Sequence, residues 1–151
     1  MPSSARLPTD PDVDLHVARQ RDELPQAPWT VLGAIAAGGA LGALGRYGLA
    51  AAWPHAPAHF PWATFVTNVS GCLLIGILMV LITEVRRAHR LVRPFLGVGV
   101  LGGYTTFSTF SLDSALLIER GAWASAAAYM AGSAILSVVA LFAGLWIVRV
   151  I

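Results

Sequence analysis

The chain has 151 residues, of which 56% are hydrophobic and only 12% charged, and its mean hydropathy is +0.68. A soluble domain of this length cannot hide that much apolar surface, so the composition reads as an integral membrane protein. The formal net charge of +2 is carried by arginines at span ends and in loops; they form no single basic face, which argues against nucleic acid as a partner.

Residues 1–28 are polar, contain several prolines and show no periodic apolar pattern, which predicts a disordered N-terminal tail ahead of a membrane domain over 29–151. The first apolar run is long enough to span and no clear small-residue cleavage site follows it. The tail therefore reads as an unprocessed cytoplasmic extension, not a signal peptide. Four stretches then reach the length of about 20 residues that a helix needs to cross a bilayer core: Thr30 to Ala52, Trp62 to Thr83, Pro94 to Ile118 and Ala122 to Val148. Trp29, Trp53, Trp62, Trp123 and Trp146 fall near their ends, where amphipathic rings favour the headgroup layer.

In the first span Gly38, Gly39, Gly42, Gly45 and Gly48 leave one side of the helix almost without bulk, a face that lets another helix approach closely. Arg46 lies about 8 Å beyond the middle of that span at the helical rise. Its guanidinium either snorkels to the headgroups or lines an aqueous vestibule that attracts anions. In the second span Thr64 and Asn68 are four residues apart and share a face, with Thr67, Ser70 and Gly71 close by; an amide so placed holds a neighbouring helix or meets an ion. Cys72, the lone cysteine, has no partner for a disulfide and reads as a small packing residue.

The third span departs from uniform greasiness: it runs Gly102-Gly103-Tyr104-Thr105-Thr106-Phe107-Ser108-Thr109-Phe110-Ser111. Two glycines, a cluster of hydroxyls and two phenylalanines three apart predict a broken, polar-lined segment at mid-membrane depth. Such a segment is tolerated only inside protein or along a water-filled path, so function is expected here. Asp113, about 10 Å past the middle of the span, and Glu119 are expected near enough to the interface to be hydrated. In the fourth span Ser125, Tyr129, Ser133 and Ser137 recur every four residues and form a slowly spiralling hydroxyl stripe, suited to close packing or to a polar track.

With four spans the tail, the middle loop and the C-terminus share one side. That side holds Arg6, Arg19, Arg21, Arg86, Arg87, Arg90, Arg93 and Arg149, against Arg120 opposite and Arg46 within the first span. The positive-inside rule then predicts one fixed orientation with both termini cytoplasmic.

The run Gly102 to Ser111 closely resembles the signature of the Fluc fluoride channels, also called CrcB proteins, as do Gly42-Ala43-Leu44-Gly45-Arg46-Tyr47 and Thr67-Asn68-Val69-Ser70-Gly71. The similarity covers about Val31 to Arg149 and keeps the order and spacing of all four spans. It implies an all-α membrane protein whose four-helix subunits pair as an antiparallel dimer, in a bacterial-type inner membrane, with a broken third helix. It further implies two narrow fluoride pathways and a structural sodium ion at the dimer centre. Carried onto this chain, the carbonyls of Gly102 and Thr105 would hold the sodium. Phe107 and Phe110 would turn ring edges to fluoride, with Asn68 donating from the second helix and Ser108 nearby. Tyr129, Ser133 and Ser137 match the family's fourth-helix hydroxyl track, and Arg46 its vestibule arginine. An aromatic edge is electropositive, so it can favour a small anion without trapping it, as conduction requires.

One feature departs from the homodimers of that family, whose arginine and lysine distributions are nearly balanced so that both orientations insert. The strong bias here predicts one half of a heterodimer of homologous chains with opposite topologies. Competing readings are a small four-helix proton-coupled drug exporter, a non-conducting structural subunit, and an intramembrane enzyme with Ser70 as nucleophile. The exporter needs an interior carboxylate, and the first two spans have none before Glu84. The enzyme lacks a base, since His16, His55, His59 and His89 all lie in the tail or loops.

Overall fold

A computed structural model describes residues 28–56, 58–84 and 89–150. The expected disordered tail lies outside the described residues except for Pro28, and so do Arg86 and Arg87 of the middle loop. Five helical elements follow in order: α1 (Pro28–Ala52), α2 (Trp62–Glu84), α3, α4 (Phe107–Glu119) and α5 (Trp123–Val150). Within α3 a π-helical run, Arg93–Leu101, is continued by the α-helical turn Gly102–Tyr104. No strand occurs among the described residues.

Among the described residues three helical runs are long and apolar enough to cross a membrane: Trp62–Thr83 in α2, Arg93–Glu119 through α3 and α4, and Trp123–Val150 in α5. The 25 residues of α1 give a rod of about 37 Å, but its glycines and Arg46 dilute its apolar character, so only its length argues for a span.

The bundle is assembled from two tight helix pairs, α2 with α5 and α1 with α3, and small residues explain both. A Cβ added to Gly38 would land on the carbonyl oxygen of Phe95, and one on Gly42 on that of Val100. From the other side, a Cβ on Gly103 would meet the carbonyl of Gly39. The second pair repeats the device, with Gly76 against Leu141 O and Gly144 against Leu73 O. Where lipid removes the hydrophobic drive between helices, such backbone approach supplies the packing that holds them together.

A small core joins α4 to α5: Leu117, Ala126 and Tyr129 are buried, with Phe60, Phe65 and Phe110 against them. α4 ends at Gly121, whose φ of 72° is costly for any residue with a Cβ. There Gly121 N–H donates to Ile118 O at 3.0 Å and Ala122 N–H to Leu117 O at 2.9 Å. This paired closure turns the chain at once into α5. Large apolar side chains such as Val139, Phe142 and Trp146 remain exposed, the surface that lipid or another subunit covers.

The third span is interrupted, but one step later than its glycines suggest. Gly102 and Gly103 are helical, because Gly103 is small for the sake of contact with α1. The break falls at Thr105 and Thr106, which are extended at φ −74°, ψ 155° and φ −148°, ψ 126°.

Candidate functional site

The break is built by side chains that replace the helical ladder. Thr105 closes α3, its N–H and its Oγ1 both donating to Leu101 O at 3.0 and 2.9 Å. Thr106 opens α4 as an N-cap, its Oγ1 accepting from Thr109 N–H at 3.2 Å, which satisfies one of the donors a helix start leaves bare. The same hydroxyl lies 3.3 Å from Ser108 Oγ and donates to Thr109 Oγ1 at 3.1 Å.

Asn68 supplies the remaining stitch. Its Nδ2 donates to Thr106 O and its Oδ1 accepts from Thr106 N–H, both at 2.9 Å, so the amide pairs with extended backbone as a neighbouring strand would. One N–H of Nδ2 is left over, since a primary amide has two. Thr64, on the same face of α2, reaches α4 instead, and Ser70 Oγ lies 3.1 Å from Tyr104 OH at the end of α3. The side chain of Gly71 is missing where the Thr105 methyl needs room.

This rearrangement decides which carbonyls are released. In an unbroken helix Thr106 N–H would close on Gly102 O and Thr109 N–H on Thr105 O. Both donors are diverted, to Asn68 and to the Thr106 hydroxyl. The next carbonyl, Gly103 O, accepts from Arg46 Nε at 3.2 Å. Gly102 and Thr105 therefore present hard oxygen donors of the kind alkali and alkaline-earth cations take, and Gly102 is exposed. No cluster of three His, Cys, Asp or Glu side chains suited to a metal occurs among the described residues.

Beside the break lies an open groove of about 380 Å³ lined by Asn68, Cys72, Thr105, Phe107, Phe110, Ser133 and Ser137, among others. The rings of Phe107 and Phe110 are 5.9 Å apart and tilted by 33°; Phe107 is 80% exposed. Ser133 is buried to 5% exposure, yet its Oγ has no hydrogen-bond partner. Buried hydroxyls are as a rule hydrogen-bonded, so this one can accept from or donate to a water or an ion without giving up a protein partner.

The residues expected to act together are thus only partly gathered. Asn68, Phe107, Phe110, Ser133 and Ser137 share the groove. Ser108 is exposed beside the cap, Gly102 lies on the outward face of the break, and Arg46 is tied to Gly103. Tyr129 packs its ring on Phe110 at 5.2 Å, but it is fully buried and its hydroxyl donates to Asp113 Oδ2 at 3.4 Å.

Two residues differ from their expected surroundings. Asp113 is enclosed by protein and does not open onto the interface: it is 8% exposed, accepts from Thr64 Oγ1 at 2.8 Å as well as from Tyr129, and has His55 Nε2 at 3.9 Å. Position along the span placed it near the interface, but it faces α2 and α5 and so is enclosed by them. The four-residue relation of Thr64 to Asn68 was the signal for this, since it pointed both at the same neighbour. Cys72 lines the groove, not a closed packing seam.

Residues 33–145 match the family model described as CrcB-like protein, Camphor Resistance (CrcB). Among curated relatives, the chain is 56% identical over 125 residues to a fluoride-specific ion channel FluC of Nitrobacter winogradskyi, covering 82% of this chain and 98% of that one. It is 50% identical over 121 residues to fluoride-specific ion channel FluC 2 of Nocardia farcinica, covering 80% and 86%. Against fluoride-specific ion channel FluC 1 of Streptomyces coelicolor it is 48% identical over 124 residues, covering 82% and 79%.

Proposed function

The chain belongs to the CrcB-like family, and from that premise we propose that it is a fluoride-selective channel through which cytoplasmic fluoride leaves passively. The observation that carries the reading is the groove at the break. It sets two phenylalanine rings, the Asn68 amide and the unpartnered Ser133 hydroxyl around one open volume. Ring edges and neutral donors attract a small anion through partial charges, which permits release as well as entry.

Direction comes from the membrane. Hydrogen fluoride enters uncharged from acidic surroundings and ionises in a neutral cytoplasm, and the inside-negative potential then favours anion exit. One charge crossing 100 mV corresponds to about 2.3 kcal/mol, a concentration ratio of about fifty.

In the assembly we propose, α1 is the fourth span and both termini face the cytoplasm of a cell with a plasma or inner membrane of bacterial type. Two four-helix subunits lie antiparallel, with a sodium ion held at the centre by the carbonyls of Gly102 and Thr105. Support for the sodium site is that these two carbonyls lose their helical donors while Gly103 O is taken by Arg46. Support for a partner is the exposure of Phe107 and Gly102 at the break. The one-sided arginines favour a homologous chain of opposite orientation as that partner.

One observation favours a second reading, proton-coupled export: Asp113 is a buried carboxylate. It lies outside the groove and is engaged by Thr64 and Tyr129, which suits a structural role better.

Fluoride and chloride efflux from liposomes carrying the purified chain, alone and with a homologous partner, tests the proposal. Fluoride release without chloride release, in at least one of the two preparations and unaltered by an imposed pH gradient, is the expected result. Equal release of both anions, or release that follows the proton gradient, would overturn it.

A further inference from the structure

One group on the groove wall takes no part in the reading above, the Cys72 thiol. Cys72 follows Asn68 by four residues on α2, so the two side chains sit one turn apart on the same face. Both line the groove with Phe107, Phe110 and Ser133. Its sulfur is free and the residue is partly exposed. Across the same groove Ser133 Oγ is buried without a partner, an independent sign that a polar occupant reaches this depth.

The geometry points to Cys72 as a wall residue of the ion path, and therefore as a modification site at which a small, hydrophilic thiol-selective electrophile closes that path. The inference rests on the fluoride-channel reading and adds the chemistry of one of its walls. In the modification, the Cys72 thiolate attacks the sulfenyl sulfur of a methanethiosulfonate. A protein S–S bond forms, the reagent's S–S bond breaks, methanesulfinate leaves with the electron pair, and the thiol proton goes to solvent. A trimethylammonium-ethyl arm delivered this way both fills part of the groove and leaves a fixed cation where weak attraction for an anion is needed.

A thiol packed against lipid or between helices would behave differently, because a permanently charged reagent does not enter hydrocarbon and the thiolate it requires is disfavoured there. The reagent thus separates a water-filled wall from a packing seam.

The test uses the reconstituted full chain, with its partner if one is required, treated with trimethylammonium-ethyl methanethiosulfonate. Intact mass reads the adduct, and a fluoride electrode reads efflux as a fraction of each protein's own untreated rate. Since Cys72 is the only cysteine, any adduct reports this site. The expected result is one adduct, slowed by added fluoride, with loss of most of the efflux; Cys72→Ser and Cys72→Ala proteins keep their untreated rates under reagent. The inference is overturned if native protein resists a reagent that modifies the denatured chain, or if a fully modified protein conducts as before. Should no preparation carry fluoride, the channel reading fails separately, and the adduct alone still decides whether Cys72 faces water.

Discussion

Two polar clusters hang on the same face of α5, one turn apart, and they are finished differently. At Tyr129 the cluster is closed: the tyrosine is fully buried, its hydroxyl and that of Thr64 both go to Asp113, and Phe60 and Phe110 pack on the ring. At Ser133 the cluster is open: the hydroxyl has no partner, and the Asn68 amide retains a donor beside the same groove. A satisfied network rigidifies its surroundings, whereas a buried hydroxyl with no protein partner is free to bond a water or an ion. The hydroxyl stripe therefore changes from scaffold to candidate pathway within four residues.

Substitutions that break this contrast should divide stability from conduction. The largest stability loss is expected for Asp113→Leu, which leaves the Thr64 and Tyr129 hydroxyls buried without an acceptor. At about 1–3 kcal/mol for each stranded group, thermal unfolding of detergent-solubilised protein should show a drop of several degrees or loss of the folded species. Asn68→Ala comes next, because it strands Thr106 N–H and C=O at the break. A loss of about 1–3 kcal/mol should here be accompanied by reduced fluoride efflux per folded protein, since Asn68 both stitches the break and lines the groove.

A smaller change follows at Thr106→Ala, where removing the cap of α4 should cost about 1 kcal/mol; Thr106→Ser, which keeps the capping oxygen, should restore most of it in the same unfolding measurement. Least of all is expected from Ser133→Ala, which breaks no hydrogen bond and should move stability by less than about 0.5 kcal/mol. Its efflux should nevertheless fall. A Ser133→Ala protein that conducts normally would place Ser133 with Tyr129 as scaffold and erase the contrast.

The sequence made the contour of the spans readable because tryptophans and arginines mark the interface by chemistry that acts locally. The observed ends of α2 and α5 lie within about two residues of those expected. The gap in the third span was also readable, from hydroxyls and glycines set in an apolar run. Its position was not, because Gly102 and Gly103 serve contact with α1, and the true break depends on Asn68, which lies far away along the chain. The burial of Asp113 and the exposure of Cys72 to the groove share that cause: depth along a helix can be counted from sequence, but the direction a residue faces is set by which helices pair.

Asn68 is the only asparagine in the chain, so labelling asparagine with 15N marks one side-chain amide. Solid-state NMR transfer from bound 19F to that nitrogen, in protein reconstituted with fluoride, tests directly whether the groove beside the break is the ion's path. The expected result is a resolved contact between fluoride and Asn68 Nδ2 that is lost on Asn68→Asp substitution. Fluoride that crosses these membranes through the protein while giving no transfer to Asn68 would contradict it.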